Sequence, residues 1–312
     1  MHIFRIARNS QRRLFWTLIG NFAPGDNMHK PEKKFIDLAE IIREKNPKLH
    51  KVLPRFVLNY IRRVIHEEKV NDFIVRHGDK HDFDFVHEVL NEFQVRIKVE
   101  GGVHIPSSGG CIFASNHPLG GLDAMALLEV ISKKRTDLKF IVNDILLQLK
   151  NLQGLFVGVN KHGKTSAQML EEIDALYGSQ KGVLIFPAGL VSRKQGGKIM
   201  DLEWKKSFIT QAKKHERSII PVYVDAKNSN WFYNLSLWRK RMGVGANIEM
   251  FYLVDEMYHQ RGKTITLIFG KPLPPSLFDR SRTDKAWAQA VKEHVYALGS
   301  GDNSKLIANS SH

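Results

Sequence analysis

The chain predicts an α/β fold: a mostly parallel sheet flanked by helices, preceded by a helical N-terminal extension. Three observations carry this expectation. The first third holds apolar residues at helical spacing and little else. From residue 95 onward, short apolar runs alternate with amphipathic stretches, the pattern of strands joined by crossover helices. The last of these runs leads into Gly270-Lys271-Pro272-Leu273-Pro274-Pro275, which reads as an exit from the sheet.

Taken in order, Phe35, Leu38, Ile41 and Ile42 place a helix that begins near Pro31 and stops at Asn46-Pro47. Val57, Ile61, Val64 and Ile65 share one face of a second helix, starting at Pro54 and ending by Gly78. Asp82 or Asp84 is positioned to cap a third, running through Phe93. Strands are expected at 95–99, 111–115, 138–142, 155–159, 183–186, 219–224 and 264–269. Helices are expected at 122–133, 165–177, 203–215 and 283–298. The expected division is a helical extension over 1–85, an α/β domain over 86–275, and a C-terminal helix with polar tail over 276–312. Internal repeats and low-complexity linkers are not evident.

Composition narrows the function classes. Of 312 residues, 43% are hydrophobic and 25% charged, which excludes a mainly disordered or collagen-like chain. No window reaches the roughly 18 consecutive apolar residues of a spanning helix. Lys and Arg total 47 against 32 acids, a formal charge of +15, which favours anionic partners such as membrane surfaces, nucleic acid or phosphate-bearing carriers. No nucleic-acid recognition motif accompanies that charge, so nucleic acid is not an expected partner. The single cysteine, Cys111, fits a reducing compartment and a packing role within an apolar run.

The first 22 residues carry Arg5, Arg8, Arg12 and Arg13 and no acid, with an apolar cluster at Leu14, Phe15, Trp16, Leu18 and Ile19. The cluster is too short to span a bilayer and lacks a clean cleavage site, so it does not read as a signal peptide. Its composition suits a helix lying in a membrane interface, with docking on the protein body as the alternative.

The chemistry concentrates in Ala114-Ser115-Asn116-His117-Pro118-Leu119-Gly120-Gly121-Leu122-Asp123, at the carboxyl end of an expected strand, where open α/β sheets bind ligands. Gly120 and Gly121 permit a tight turn into the following helix. His117 is a candidate general base, and Asp123 lies near enough in sequence to hold its other ring nitrogen. By spacing alone, turn capping by His117 and helix capping by Asp123 is the favoured reading.

Asn116-His117 followed by Asp123 resembles the first block of the glycerolipid acyltransferase family, which includes the lysophosphatidic acid acyltransferases. Gly154-Leu155-Phe156-Val157-Gly158-Val159-Asn160 resembles the second block, Phe186-Pro187-Ala188-Gly189-Leu190-Val191-Ser192-Arg193 the third, and Ile219-Ile220-Pro221-Val222 the fourth. The chain also departs from the family pattern. Five residues separate His117 from Asp123 where the family usually has four, and Asn160 stands where an Arg is usual. Ala188, Leu190 and Val191 replace the Glu, Thr and Arg of the third block; the Glu and Arg are linked to holding glycerol phosphate. The pattern is similar to a divergent, haemolysin-like bacterial branch associated with acylated amino-acid lipids.

The resemblance implies an acyltransferase in membrane lipid synthesis, moving a fatty acyl group from acyl-carrier protein or acyl-CoA to a lyso-lipid, either lysophosphatidic acid or a lyso amino-acid lipid. O-acyl transfer is expected ahead of N-acyl transfer. His117 and Asp123 become the catalytic pair, a contribution typically of ~10²–10⁴ in rate. Asn116, Asn160, Lys161, Lys164, Gly189, Ser192 and Arg193 become candidate substrate-binding residues. Backbone N–H groups around Gly189 are candidates for the oxyanion hole. Lys194, Lys205 and Lys206 add positive charge for a head group or a phosphopantetheine donor. No metal or bound cofactor is expected, and the enzyme would sit peripherally on the cytoplasmic face of a membrane.

One motif competes. Residues Gly158 to Thr165 satisfy the P-loop pattern G-x-x-x-x-G-K-[ST], with Lys164 and Thr165 as phosphate and Mg²⁺ contacts. Against it, the segment lies mid-chain and late in the expected sheet, where such loops usually follow the first strand, and Pro221 is expected to interrupt the strand before Asp225, the candidate second acid. A non-catalytic lipid-binding protein is the alternative from another class. His77 and His81 have metal-capable side chains but read as a solvated loop, and the chain lacks a G-x-S-x-G nucleophile elbow.

Overall fold

The structure, a computed structural model, describes residues 34–143, 146–158, 166–243 and 247–301. Five helices come first: α1 (Leu38–Lys45), α2 (Pro47–Val52), α3 (Arg55–Val64), α4 (Glu67–His77) and α5 (Asp82–Glu92). Asp37 caps α1 by accepting the Glu40 N–H. The single helix expected from Pro54 to Gly78 is two, because the chain turns at His66, whose φ of +50° is left-handed. The cap expected from Asp82 or Asp84 does not form; His81 takes the N-cap position without a side-chain bond.

The body alternates thereafter: β1 (Arg96–Glu100), β2 (Cys111–Ser115), α6 (Leu122–Ser132), β3 (Leu138–Val142), β4 (Phe156–Gly158), α7 (Ser166–Gly178), β5 (Gly182–Ile185), a hairpin of β6 (Arg193–Gln195) and β7 (Lys198–Met200), α8 (Ser207–Lys214) and β8 (Ser218–Asp225). Next come α9 (Asn230–Arg241), α10 (Leu253–His259), β9 (Thr264–Phe269) and α11 (Asp284–Ser300). The seven-stranded sheet runs β1-β9-β8-β2-β5-β3-β4, parallel except where β8 meets β9. The α/β class and the mostly parallel sheet are as the sequence predicts. The hairpin, α9 and α10 were not anticipated. Pro221 does not interrupt β8: it pairs opposite Ala114 of β2, and its carbonyl accepts the Gly270 N–H.

Burial on both faces explains the apolar strands. Along β2, Cys111 and Phe113 join one core with α5 and α6, while Ile112 and Ala114 join the other with α8 and α11. Phe73 of α4 and Phe85 of α5 pack into the first core, so these helices lie directly against the sheet. Cys111 is buried, and burial pushes its thiol up to about 11, which suits packing rather than reactivity. The expected interface segment 1–22, the P-loop residues 159–165 and the residues beyond Gly301 lie outside the described residues.

Candidate active site

His117 leaves the carboxyl end of β2, flanked by β5 on one side and β8 on the other. Its Nδ1 donates to Oδ2 of Asp123 at 3.0 Å. The Leu119 and Gly120 N–H groups donate to the same oxygen, at 2.9 and 3.3 Å, and the Ala124 N–H donates to Oδ1. The five-residue interval therefore closes into a loop wrapped around the carboxylate. Gly120 makes the turn possible, since its φ of +94° strains any residue with a Cβ.

Asp123 is fully buried and the His117 side chain 15% exposed. Burial opposes ionisation of Asp123, but the charge of His117 and the hydrogen bonds from His117, Leu119 and Ala124 outweigh it and hold the carboxyl below its usual range. A carboxylate on Nδ1 fixes the tautomer that leaves Nε2 with a lone pair, the state a general base requires. One face of the imidazole stacks on Phe186, ring centroids 4.0 Å apart at 17°.

A second carboxylate, Asp201, holds the backbone behind the imidazole. Its Oδ1 accepts the His117 N–H at 3.2 Å and the Ser192 hydroxyl at 2.6 Å, and its Oδ2 accepts the Trp204 Nε1–H at 2.9 Å. The Ser192 N–H donates to the His117 carbonyl at 2.8 Å. Burial pushes the Asp201 carboxyl up, against the pull of its bonds to Ser192 and Trp204. Sequence reasoning missed Asp201: it stands outside every block, and a lone Asp three residues before a Trp carries no motif.

Four of the expected binding groups are engaged elsewhere. The Asn116 amide accepts the Val224 N–H and donates to the Val224 carbonyl, so it ties β2 to β8. Arg193 is buried, donates to the Val191 and Ser192 carbonyls, and pairs with Glu249 at 3.1 Å; Arg239 holds the other oxygen of that carboxylate at 2.7 Å. The Gly189 N–H donates to the Phe186 carbonyl, closing a turn whose φ of +65° explains the glycine, and is not left for an oxyanion. Ser192 is buried in the support just described. Lys205 and Lys206 are exposed and Lys194 half-buried. Asn160, Lys161 and Lys164 lie outside the described residues. Among the described residues, no group of three or more His, Cys, Asp or Glu side chains could hold a metal ion.

A strand-end histidine oriented by a buried carboxylate suits proton transfer, and the comparison with known proteins gives its chemical setting. A family model described as Acyltransferase matches residues 40–302. The chain belongs to the acyltransferase family. It is 39% identical over 264 residues to the lyso-glycine lipid O-acyltransferase of Phocaeicola vulgatus, covering 84% of this chain and 95% of that one. The enzyme of the same description from Bacteroides thetaiotaomicron is 40% identical over 264 residues, covering 84% and 97%. The crystal structure of the 1-acyl-sn-glycerophosphate (LPA) acyltransferase from Thermotoga maritima aligns with a TM-score of 0.45 and 16% identity, over 78% of this chain and 92% of that one. The acyltransferase is thus an enzyme, as the four blocks implied, and the reading as a non-catalytic lipid-binding protein falls.

Proposed function

We propose that this acyltransferase moves a fatty acyl group from a thioester donor, acyl-carrier protein or acyl-CoA, to the hydroxyl of a lyso-glycine lipid or a closely related lyso amino-acid lipid. The observation that carries the chemistry is the bond from His117 Nδ1 to the buried Asp123, with the imidazole still partly exposed. His117 Nε2 takes the proton of the acceptor hydroxyl as its oxygen attacks the thioester carbon. The C–S bond then breaks, and the imidazolium returns the proton to the leaving thiolate. Asp123 stabilises the imidazolium between these steps.

The acceptor follows from what the third block lacks. Ala188 and Val191 replace the acid and the arginine tied to glycerol phosphate, and Arg193, the remaining cation of that block, is spent on Glu249. This favours an acceptor without a phosphate head group, and the names of the two bacterial relatives point the same way. Among the described residues, no helix is long and apolar enough to cross a membrane. Peripheral attachment at the cytoplasmic face, with the +15 charge drawn to anionic lipid, is part of the proposal.

The test supplies purified enzyme with lyso-glycine lipid or lysophosphatidic acid, each with acyl-carrier protein and CoA donors, and reads products by mass spectrometry. The lyso-glycine lipid should be acylated on its hydroxyl and should outcompete lysophosphatidic acid. Preferential conversion of lysophosphatidic acid would reject the acceptor assignment.

A further inference from the structure

The outward face of α9 carries what a soluble surface helix normally hides. Trp231, Trp238 and Met242 are 58, 62 and 59% exposed, and their spacing of seven and four sets them in one stripe. The stripe extends onto a second helix. Trp231 meets Tyr252 edge to face, and the Tyr252 hydroxyl lies 2.6 Å from that of Tyr60 on α3, with Phe56, 74% exposed, one turn earlier. A cavity of about 170 Å³ lies between the two helices, lined by Tyr60, Ile61, Leu235 and Tyr252 among others. Exposed aromatics gathered in this way mark a contact surface rather than chance exposure.

Charge identifies the occupant. Neither α3 nor α9 contains an acid, and Arg55, Arg63, Lys240 and Arg241 are exposed along them. A second copy meeting this face would bring the same cations together. Residues 1–22 of the chain, with four arginines and no acid, offer these cations no counter-charge either. An anionic bilayer satisfies both demands: its head groups pair with the cations, and its interface accepts Trp and Tyr, which favour that depth. We infer that the α3–α9 face is the membrane-docking surface of this enzyme, seating Trp231, Trp238 and Phe56 in the interface of a leaflet rich in anionic lipid. The inference uses the acyl-transfer reading only to explain why a bilayer must be met; the binding itself needs no turnover.

The experiment measures co-flotation of the full chain with phosphatidylcholine vesicles with and without phosphatidylglycerol, in the absence of substrate. Wild type should float with the anionic vesicles. Trp231→Ser with Trp238→Ser should cut partitioning by about tenfold or more, and Arg55→Glu with Lys240→Glu and Arg241→Glu should abolish the preference for anionic lipid. Quenching by bromolipids provides a readout independent of folding defects. In Trp231→Phe with Trp238→Phe, which retains Trp16, vesicle binding should persist and most quenching should vanish. Wild-type partitioning by the serine variant, or undiminished quenching of the phenylalanine variant, would overturn the inference by placing the contact elsewhere. So would a wild-type dimer that the serine variant abolishes, with no vesicle binding. Acyl transfer to detergent-dispersed acceptor, measured in parallel, should be intact in the serine variant; its absence in every protein would count against the catalytic reading alone.

Discussion

Oδ2 of Asp123 accepts three hydrogen bonds, from His117 Nδ1 at 3.0 Å, the Leu119 N–H at 2.9 Å and the Gly120 N–H at 3.3 Å. One oxygen therefore both orients the imidazole and folds the loop that presents it. Losing that oxygen removes the imidazole's orientation and the loop's structure together.

The Asp123 carboxyl is held below its usual range when folded, so its ionised form stabilises the protein. That contribution is complete above the unfolded value of about 3.9 and is lost as pH falls through the lower folded value. Asp123→Asn should therefore unfold with a weaker pH dependence on the acid side than wild type. Urea unfolding from about pH 3 to pH 7 measures this, and identical acid limbs for the two proteins would contradict it.

Asp201→Ala leaves the His117 N–H and the Trp204 indole N–H without their acceptor, and the Ser192 hydroxyl with only the His117 carbonyl, 3.2 Å away. Each buried donor so stranded costs about 1–3 kcal/mol. The variant should lose several kcal/mol in urea unfolding, and its folded fraction should transfer acyl groups more slowly than wild type. Ser192→Ala, which removes one donor and leaves the carboxylate, should do less on both measures.

Glu249→Ala would remove the carboxylate shared by Arg193 and Arg239 and leave two like charges buried together, at about 3–5 kcal/mol. Arg193→Ala should also act on stability, leaving the acceptor KM of the folded enzyme little changed. A large rise in KM with unaltered stability would return Arg193 to the head-group role the third block suggested.

How much was legible beforehand follows from what each element depends on. Strands β2, β3 and β9 were readable to the residue: β2 is buried along its whole length and apolar up to Ser115, while β3 and β9 bury alternate apolar residues, Leu138, Phe140 and Val142 in one and Ile265, Leu267 and Phe269 in the other. The His117–Asp123 pair was legible because the two residues stand at either end of one short loop, Asp123 in the first turn of α6. The break at His66 was not, since a left-handed turn at a histidine leaves no glycine or proline to mark it. Helix α9 was hidden by its exposed tryptophans, which blur the apolar face that identifies a helix. The fate of Arg193 depends on Glu249, 56 residues away, and the role of Asp201 on two loops meeting in space. Such pairings have no local signature.

The P-loop pattern from Gly158 to Thr165 makes a separate prediction. Under acyl transfer, the purified enzyme should neither bind Mg-ATP saturably nor hydrolyse it, and Lys164→Ala should leave any nucleotide response unchanged. Calorimetry with Mg-ATP decides this. Saturable binding abolished by Lys164→Ala would revive the nucleotide-binding reading.

The central claim is that His117 Nε2 removes the acceptor proton. The most direct test is the rate of acyl transfer from a thioester to lyso-glycine lipid by purified His117→Ala, with folding checked by circular dichroism. A folded protein whose turnover falls by about two to four orders of magnitude is the predicted result. A folded His117→Ala enzyme that transfers at near wild-type rate would contradict it.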